Sequence, residues 1–368
     1  MRLFVHRGAY GRQLAVFDGG DYLSFDRDAL DQKATVESVF YGRVQKIVGA
    51  FALVDMGLER PGILNKPVGL KEGDKLFVQI KREAFFDKGE LSKGLLRKGE
   101  QLTQTVTLIT PCFMYFPHQK GLNVSSSLMK EETEGLLSLG RSFLANRPGK
   151  IIFRSKALTL SAKNLLRSLE QTAADWEAMS HSPSLGLIQK GRTNLQRLMD
   201  MYTLEEIYTD HIDDFNEISK VIDRFPMGTK AHFSCEDVFA SFSVHDVWAE
   251  VVETPWIRLP SGGQLLIEYT STLTSIDVNQ GTCSSLKVLN HEAARRIPKL
   301  FYQLQLSGNI IVDFAGDLSL LMRKEILGAL KKNLPIDVSV CTWSHLGWLE
   351  VRRPKTQLSL MERMNQCR

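Results

Sequence analysis

Two apolar runs in the last third of the chain each carry an aspartate where a core residue would be expected. They read Leu273-Thr-Ser-Ile-Asp277-Val-Asn279 and Asn309-Ile-Ile-Val-Asp313-Phe314. As strands they alternate faces, so Ser275, Asp277 and Asn279 point one way and Ile276 and Val278 the other. In the second run Ile310, Val312 and Phe314 share a face, and Asp313 takes the opposite one. An ionised carboxylate buried without a partner costs several kcal/mol, roughly, even after relaxation. These two must therefore meet water, a donor or a cation. Two carboxylates with a neutral amide oxygen are hard donors of the kind Mg²⁺ accepts, and the chemistry such a site supports is metal-assisted phosphodiester cleavage.

The elements that would position these residues lie within 251–354. Pro260-Ser-Gly-Gly263 reads as a tight turn into a strand, Gln264–Tyr269. Between the aspartate strands, His291–Leu306 places Ala294, Ile297, Leu300, Phe301 and Leu304 on one helical stripe, which Pro298 should kink. Beyond Asp313, Asp317 or Ser319 can cap a helix running to Lys331-Lys332. Strands at 337–342 and 348–352 close the segment. The order is strand–strand–helix–strand–helix–strand–strand, an α/β layer with the aspartates expected together near one sheet edge.

Upstream, residues 1–34 form a β start around the turn Asp18-Gly19-Gly20, too small to fold alone and in need of a later partner strand. Residues 35–109 hold short glycine-punctuated strands, the last at 103–109, and suggest a small barrel of OB type. A basic loop interrupts it, with Lys81, Arg82, Lys88, Lys93, Arg97 and Lys98 set among Phe85 and Phe86. Such a loop is usually a solvated excursion, but positive charge with aromatic neighbours is also what single-stranded nucleic acid needs. Residues 110–185 carry helices at Lys130–Leu144 and about Thr159–Met179 with a strand at 150–155 between them. Residues 186–250 alternate helix and strand, a plausible partner for the N-terminal strands. Residues 355–368 read as a tail, either a short helix or a frayed end.

A net charge of +4, from 46 basic and 42 acidic residues, neither demands nor opposes a nucleic-acid partner. The five cysteines, Cys112, Cys235, Cys283, Cys341 and Cys367, form no Cys-x-x-Cys pair, so neither a disulfide framework nor a zinc site within a single chain is expected. No apolar run approaches the roughly 18 residues that span a bilayer, and the start lacks the apolar core of a leader. The expectation is a soluble cytoplasmic protein.

Taken together, Gly57-Leu-Glu-Arg-Pro-Gly62, Arg154-Ser155, Arg258-Leu-Pro-Ser-Gly-Gly263, Leu273–Asn279, Ile311-Val-Asp-Phe314 and Leu346-Gly-Trp-Leu-Glu350 resemble the ribonuclease E / ribonuclease G family, in the family's order and over nearly the whole chain. The resemblance implies a multidomain α/β protein with a β-barrel. Its parts would be an RNase H-like fold from residues 1–34 and 186–250, an inserted OB barrel, a 5′-sensor region at 110–185 and a DNase I-like catalytic domain. It implies an endoribonuclease of single-stranded RNA that leaves 5′-phosphate ends. Asp277 and Asp313 would bind one Mg²⁺, Asn279 would position a carboxylate or the attacking water, and Arg154, Ser155 and Gly121 would sense a 5′-phosphate. RNA would contact Lys93, Arg97 and Lys98 together with Leu53 and Ile63, which stand where the family presents phenylalanines. By the same likeness this is a short form, without the family's C-terminal small domain and zinc-linking cysteines; a homodimer remains allowed.

Bland alternatives stand beside these readings. Arg154 serves equally well as a structural ion pair, Asp317 as a helix cap, His291 and His345 as ordinary surface residues, and Trp343 and Trp348 as core. Asp337 stands where the family's second phosphate-sensing arginine is expected, replacing a forked donor by a like charge. A non-catalytic RNA-binding protein of the same architecture is the alternative function.

Overall fold

The computed structural model describes residues 1–8, 11–28, 34–65, 67, 69–84, 99–270 and 272–365. The N-terminal hairpin, Gly11–Asp18 and Asp21–Asp28, turns through Gly19 and Gly20, both at positive φ (56° and 102°), the conformation a two-residue hairpin demands. Its partner arrives from far along the chain. Arg2–Gly8 pairs in parallel with Glu206–Thr209, which pairs in parallel with Lys230–Phe233, completing a five-stranded sheet.

A closed five-stranded barrel follows, from Val39–Val48, Phe51–Asp55, Gly62–Asn65, Gln101–Thr103 and Lys75–Arg82, which returns to the first strand. Its core is Val44, Ala52, Val54, Leu64, Val78, Ile80 and Leu102. The expected last strand at 103–109 is corrected: pairing ends at Thr103. The Gln79 side chain then accepts from Thr107 N and donates to Thr107 O, both at 2.9 Å. Leu108–Ile109 belongs instead to a four-stranded sheet with Phe113–Phe116, Gly149–Phe153 and Lys120–Val124. Helices Lys130–Leu144 and Ala162–Ser180 pack on that sheet through a core that includes Leu136, Phe143, Leu165, Leu169 and Trp176.

The C-terminal sheet has six strands in the order Trp256–Arg258, Gln264–Tyr269, Leu273–Asn279, Gly308–Asp313, Leu349–Arg353, Ser339–Trp343. Only the two aspartate strands run parallel, joined by the helix Leu286–Gln303. That helix begins five residues before His291, capped by Ser285, and continues through Pro298 because its stripe Leu289, Ala293, Ile297, Leu300 and Phe301 is buried on the sheet. Ser319, not Asp317, caps the helix Leu320–Lys331. The aspartate strands are the third and fourth of six, so the expected place near a sheet edge is corrected to the centre. The chain returns after the second helix and inserts Leu349–Arg353 beside Gly308–Asp313, with Ser339–Trp343 outside it. The N-terminal and C-terminal sheets share one apolar core, in which Phe4, Ala15 and Phe25 meet Trp248, Ile276, Val312 and Phe301.

Candidate active site

The parallel register sets Asp277 directly opposite Asp313. Ile276, Val278, Ile310 and Val312 face the helices, so both carboxylates stand on the other, open face, Asp277 half-buried and Asp313 exposed. Cross-strand neighbours on one face are roughly 5 Å apart, close enough for one small cation to touch both. Asn279 Nδ2 donates to Asp277 Oδ2 at 2.9 Å, and Trp348 Nε1 donates to Asp313 Oδ2 at 3.0 Å. Among the described residues no lysine, arginine or histidine forms an ion pair with either carboxylate. Two adjacent carboxylates, each fixed by one neutral donor and uncompensated in charge, fit a hard divalent cation.

The surrounding turns hold this arrangement. A Cβ on Gly263 would lie 2.2 Å from Leu289 Cδ1 and 3.1 Å from the Asn279 carbonyl oxygen, so only glycine lets the Ser-Gly-Gly turn lie against the end of the Asn279 strand. Gly262 accepts from Thr282 N at 3.1 Å, and Glu292 receives Ser261 N at 3.0 Å. On the far side, Ser344 N donates to Trp348 O at 2.8 Å and Trp348 N to Ser344 Oγ at 3.1 Å, around Gly347 at φ 88°. This turn aims the indole of Trp348 at Asp313. Trp348 was expected in the core and is corrected: its signal was already present in Leu346-Gly-Trp-Leu-Glu350, but its direction depends on the turn. Trp343 does pack inward, 5.9 Å from Phe314.

Two further residues on the carboxylate face escaped sequence reasoning. Trp256, Leu266, Asp277 and Asp313 lie in one cross-strand row, and Arg258, Gln264 and Asn279 in the next. Trp256 is 45% exposed and Arg258 is exposed, so an aromatic ring and a cation share the open face with the carboxylates. Of the histidines near the site in sequence, His291 pairs with Glu325 at 3.0 Å, bridging two helices, and His345 is exposed on the Trp348 turn.

The residues expected to sense a 5′-phosphate are not brought together. Gly121 lies opposite Lys150, whereas Arg154 follows the far end of that strand, about 13 Å along it. Arg154 Nη1 donates to the Thr110 carbonyl at 2.7 Å and pairs with Asp200 at 3.4 Å. Asp200 also takes Arg192, and burial pushes its carboxyl upward despite these partners. Ser155 is exposed at the start of a short 3₁₀ turn. Lys156 spends its ammonium on the carbonyls of Met199 and Tyr202, at 2.9 and 2.7 Å. Burial lowers its pKa. Asp337 meets Arg353 at 2.8 Å, in the turn that precedes the strand Ser339–Trp343 of the C-terminal sheet.

On the barrel, Leu53 and Ile63 are register partners on its outward side, since Ala52, Val54, Gly62 and Leu64 face in. Phe51, 36% exposed, lies two residues from Leu53 on the same side, and Lys46 is exposed opposite Leu53. An aromatic is thus present on this face beside Leu53 and Ile63. Lys93, Arg97 and Lys98, with Lys88, Phe85 and Phe86, lie outside the described residues. The described cysteines, Cys112, Cys235, Cys283 and Cys341, are free thiols, and no helix among the described residues is long and apolar enough to cross a membrane.

The chain thus combines a closed barrel with an α/β sheet that carries an in-register pair of carboxylates at its centre, a donor set that fits a divalent cation. A sequence model of the Ribonuclease E/G family matches residues 107–356, and the chain belongs to that family. It is 24% identical to "Ribonuclease G" of Haemophilus influenzae, over 89% of this chain and 74% of that protein. It is 22% identical to "Ribonuclease G" of Escherichia coli, over 96% and 80% respectively. It is 26% identical to "Ribonuclease E" of Synechocystis sp. over 73% of this chain, which spans only 43% of that relative.

Proposed function

We propose that this chain is an endoribonuclease of single-stranded RNA, acting in cytoplasmic RNA processing or decay, dependent on Mg²⁺ and leaving 5′-phosphate ends. The observation that carries this reading is the pair Asp277 and Asp313, in register, on an open face and without a basic partner among the described residues. Family membership supplies the substrate class. The N-terminal sheet is then read as RNase H-like, the barrel as OB-type and the C-terminal sheet as DNase I-like, with boundaries near residues 34, 109, 185, 250 and 354.

Asp277 and Asp313 would hold the cation, which when bound polarises the scissile phosphate and makes water a better nucleophile. The remaining work falls to the chain. Asn279 holds one oxygen of Asp277 and leaves the other for the cation, and Trp348 does the same for Asp313. Arg258 offers a phosphate contact and Trp256 a stacking surface on the same face. The outward side of the barrel, with Phe51, Leu53, Ile63 and Lys46, would guide the strand with little sequence readout.

The test is incubation of the full chain with a labelled single-stranded oligoribonucleotide, with Mg²⁺ and with chelator, followed by mapping of the product ends. Cleavage should need the cation and leave 5′-phosphates. Asp277→Asn or Asp313→Asn should abolish it while RNA binding and folding persist. Near wild-type cleavage by both variants in chelator-treated buffer would overturn the reading. RNA that is bound tightly but never cut would favour the non-catalytic alternative.

A further inference from the structure

A second group of potential metal ligands lies on the N-terminal sheet and has no part in the chemistry above. His6, near the end of Arg2–Gly8, Asp237 and His245 each place a ligand atom within 4.8 Å of the other two. His6 Nδ1 is 3.3 Å from Asp237 Oδ1, and His245 Nε2 is 2.9 Å from Asp237 Oδ2. Ligand atoms on one tetrahedral ion with bonds of about 2.0–2.1 Å lie roughly 3.3 Å apart, and these three side chains already stand within 4.8 Å of one another. We propose that His6, Asp237 and His245 form a binding site for a first-row transition-metal dication of the Zn²⁺ type. Two imidazoles with one carboxylate select such an ion over Mg²⁺ or Ca²⁺, which prefer oxygen donors throughout.

The fold builds this site rather than letting it occur by chance on a surface. His6 lies at the carboxyl end of a parallel strand pair, where ligands gather in open α/β sheets. Asp210, just beyond the end of the neighbouring parallel strand, faces the same nitrogen: its Oδ2 lies 2.6 Å from His6 Nδ1, a hydrogen bond that an ion on Nδ1 would displace, and it is itself held by the backbone N–H groups of Arg7 at 3.3 Å and Val238 at 3.2 Å. Asp237 and His245 are brought together by a sharp turn between the short helices Val238–Ser241 and Val244–Trp248. At that turn Ser243 takes the left-handed conformation at φ 53°, a cost a non-glycine residue bears only when its surroundings require it. Phe239, fully buried, lies 5.1 Å from the His6 ring and 5.5 Å from the His245 ring, closing the inner side. His6 is 14% exposed, whereas Asp237 and His245 are 40% and 47% exposed, so the outer side is open for an ion to enter. A bound ion would tie the connection that leads into the C-terminal sheet onto the first strand. The cysteine inventory, which argued against zinc within one chain, could not register a site made of histidine and aspartate.

The experiment uses the full chain carrying Asp277→Asn and Asp313→Asn, so that the catalytic carboxylates do not compete for metal. It is titrated with Co²⁺ followed by visible absorption, then with Zn²⁺ by calorimetry. The expected result is one Co²⁺ per chain, with the intense visible band of a four-coordinate site bearing nitrogen ligands. Zn²⁺ should displace it, and millimolar Mg²⁺ should not. His245→Ala and Asp237→Asn, both at exposed positions and so compatible with folding, should each weaken binding at least tenfold. Absence of Co²⁺ binding at micromolar concentration would overturn the proposal, as would binding that neither substitution alters. Neither readout involves RNA cleavage, so the result stands apart from the fate of the endoribonuclease reading.

Discussion

At the scale of single residues, the catalytic reading depends on two neutral donors as much as on two carboxylates. Trp348 Nε1 holds one oxygen of Asp313 at 3.0 Å. Replacing it by phenylalanine keeps an aromatic ring and removes that donor. A hydrogen bond to a charged group contributes roughly 1.5–3 kcal/mol, and the exposure of Asp313 places this one at the low end. Trp348→Phe should therefore lower the cleavage rate about tenfold with RNA affinity unchanged, measured by single-turnover kinetics beside a binding titration. An unchanged rate would remove the indole from the site. By the same accounting, this protein should discriminate poorly between 5′ ends of RNA. Arg154 is committed to Thr110 O and Asp200, Lys156 to two carbonyls, Gly121 lies away along its strand, and Asp337 is bound to Arg353. Cleavage rates on one oligonucleotide with a 5′-monophosphate or a 5′-hydroxyl should agree within about threefold, because a doubly charged phosphate is best held by forked donors left free for it. A strong monophosphate preference, lost in Arg154→Ala, would show that the pocket re-forms around RNA. Arg154-Ser155 was visible as a motif, but its ion pair with Asp200 crosses 46 residues of sequence separation, and no local pattern announces it.

At the scale of elements, alternation was the most informative signal. It placed Asp277, Asn279 and Asp313 on faces opposite their apolar neighbours, and the structure has them so. Alternation failed where it ran on through a turn. Thr103, Thr105 and Thr107 continue the alternating pattern past the last barrel strand, and only the side-chain amide of Gln79, clamping Thr107 from the neighbouring strand, shows that the ladder has ended. Register was also beyond reach, and register is what lines Trp256 up with the carboxylates and sets Leu53 beside Ile63. For the barrel this yields a prediction. With Phe51 as an aromatic beside Leu53 and Ile63, binding should rely largely on phosphate charge and weaken steeply with salt. Leu53→Phe with Ile63→Phe should tighten single-strand binding by at most ~1–3 kcal/mol per stacked base, and Phe51→Ala should weaken it by a similar amount. Fluorescence anisotropy at two salt concentrations checks all three. Affinity insensitive to salt and to every substitution would mean that RNA does not travel over this side of the barrel.

At the scale of the whole molecule, the C-terminal segment acts as a clasp. The reading of the tail after Pro354 as a short helix or a frayed end allowed for the helix Leu360–Asn365, but not for the full burial of its first residue. Just before it, Thr356 accepts from Glu83 N beside the barrel at 3.2 Å, and Gln357 meets Arg197. Leu360 N donates to the Leu304 carbonyl at 3.2 Å at the end of the long helix, and Arg363 pairs with buried Asp26 on the N-terminal sheet. Sequence could not reveal this because the segment is short and its partners come from four distant stretches. Leu360 belongs to the core shared by the N-terminal and C-terminal sheets, whereas the barrel core is built from Phe40, Val44, Val54 and Val78 without it. Leu360→Ala should cost about 2–5 kcal/mol, the transfer of the lost methyl groups plus the cavity they leave. If the two sheets open together, native-state hydrogen exchange should show that loss equally at amides of Arg2–Gly8 and of Leu273–Asn279. Barrel amides of Val39–Val48 should change by much less. A loss confined to Leu360–Asn365 would mean that the helix frays on its own, and an equal loss in the barrel would mean that all the cores unfold as one; either result would refute a two-sheet unit that positions Asp277 and Asp313 independently of the barrel.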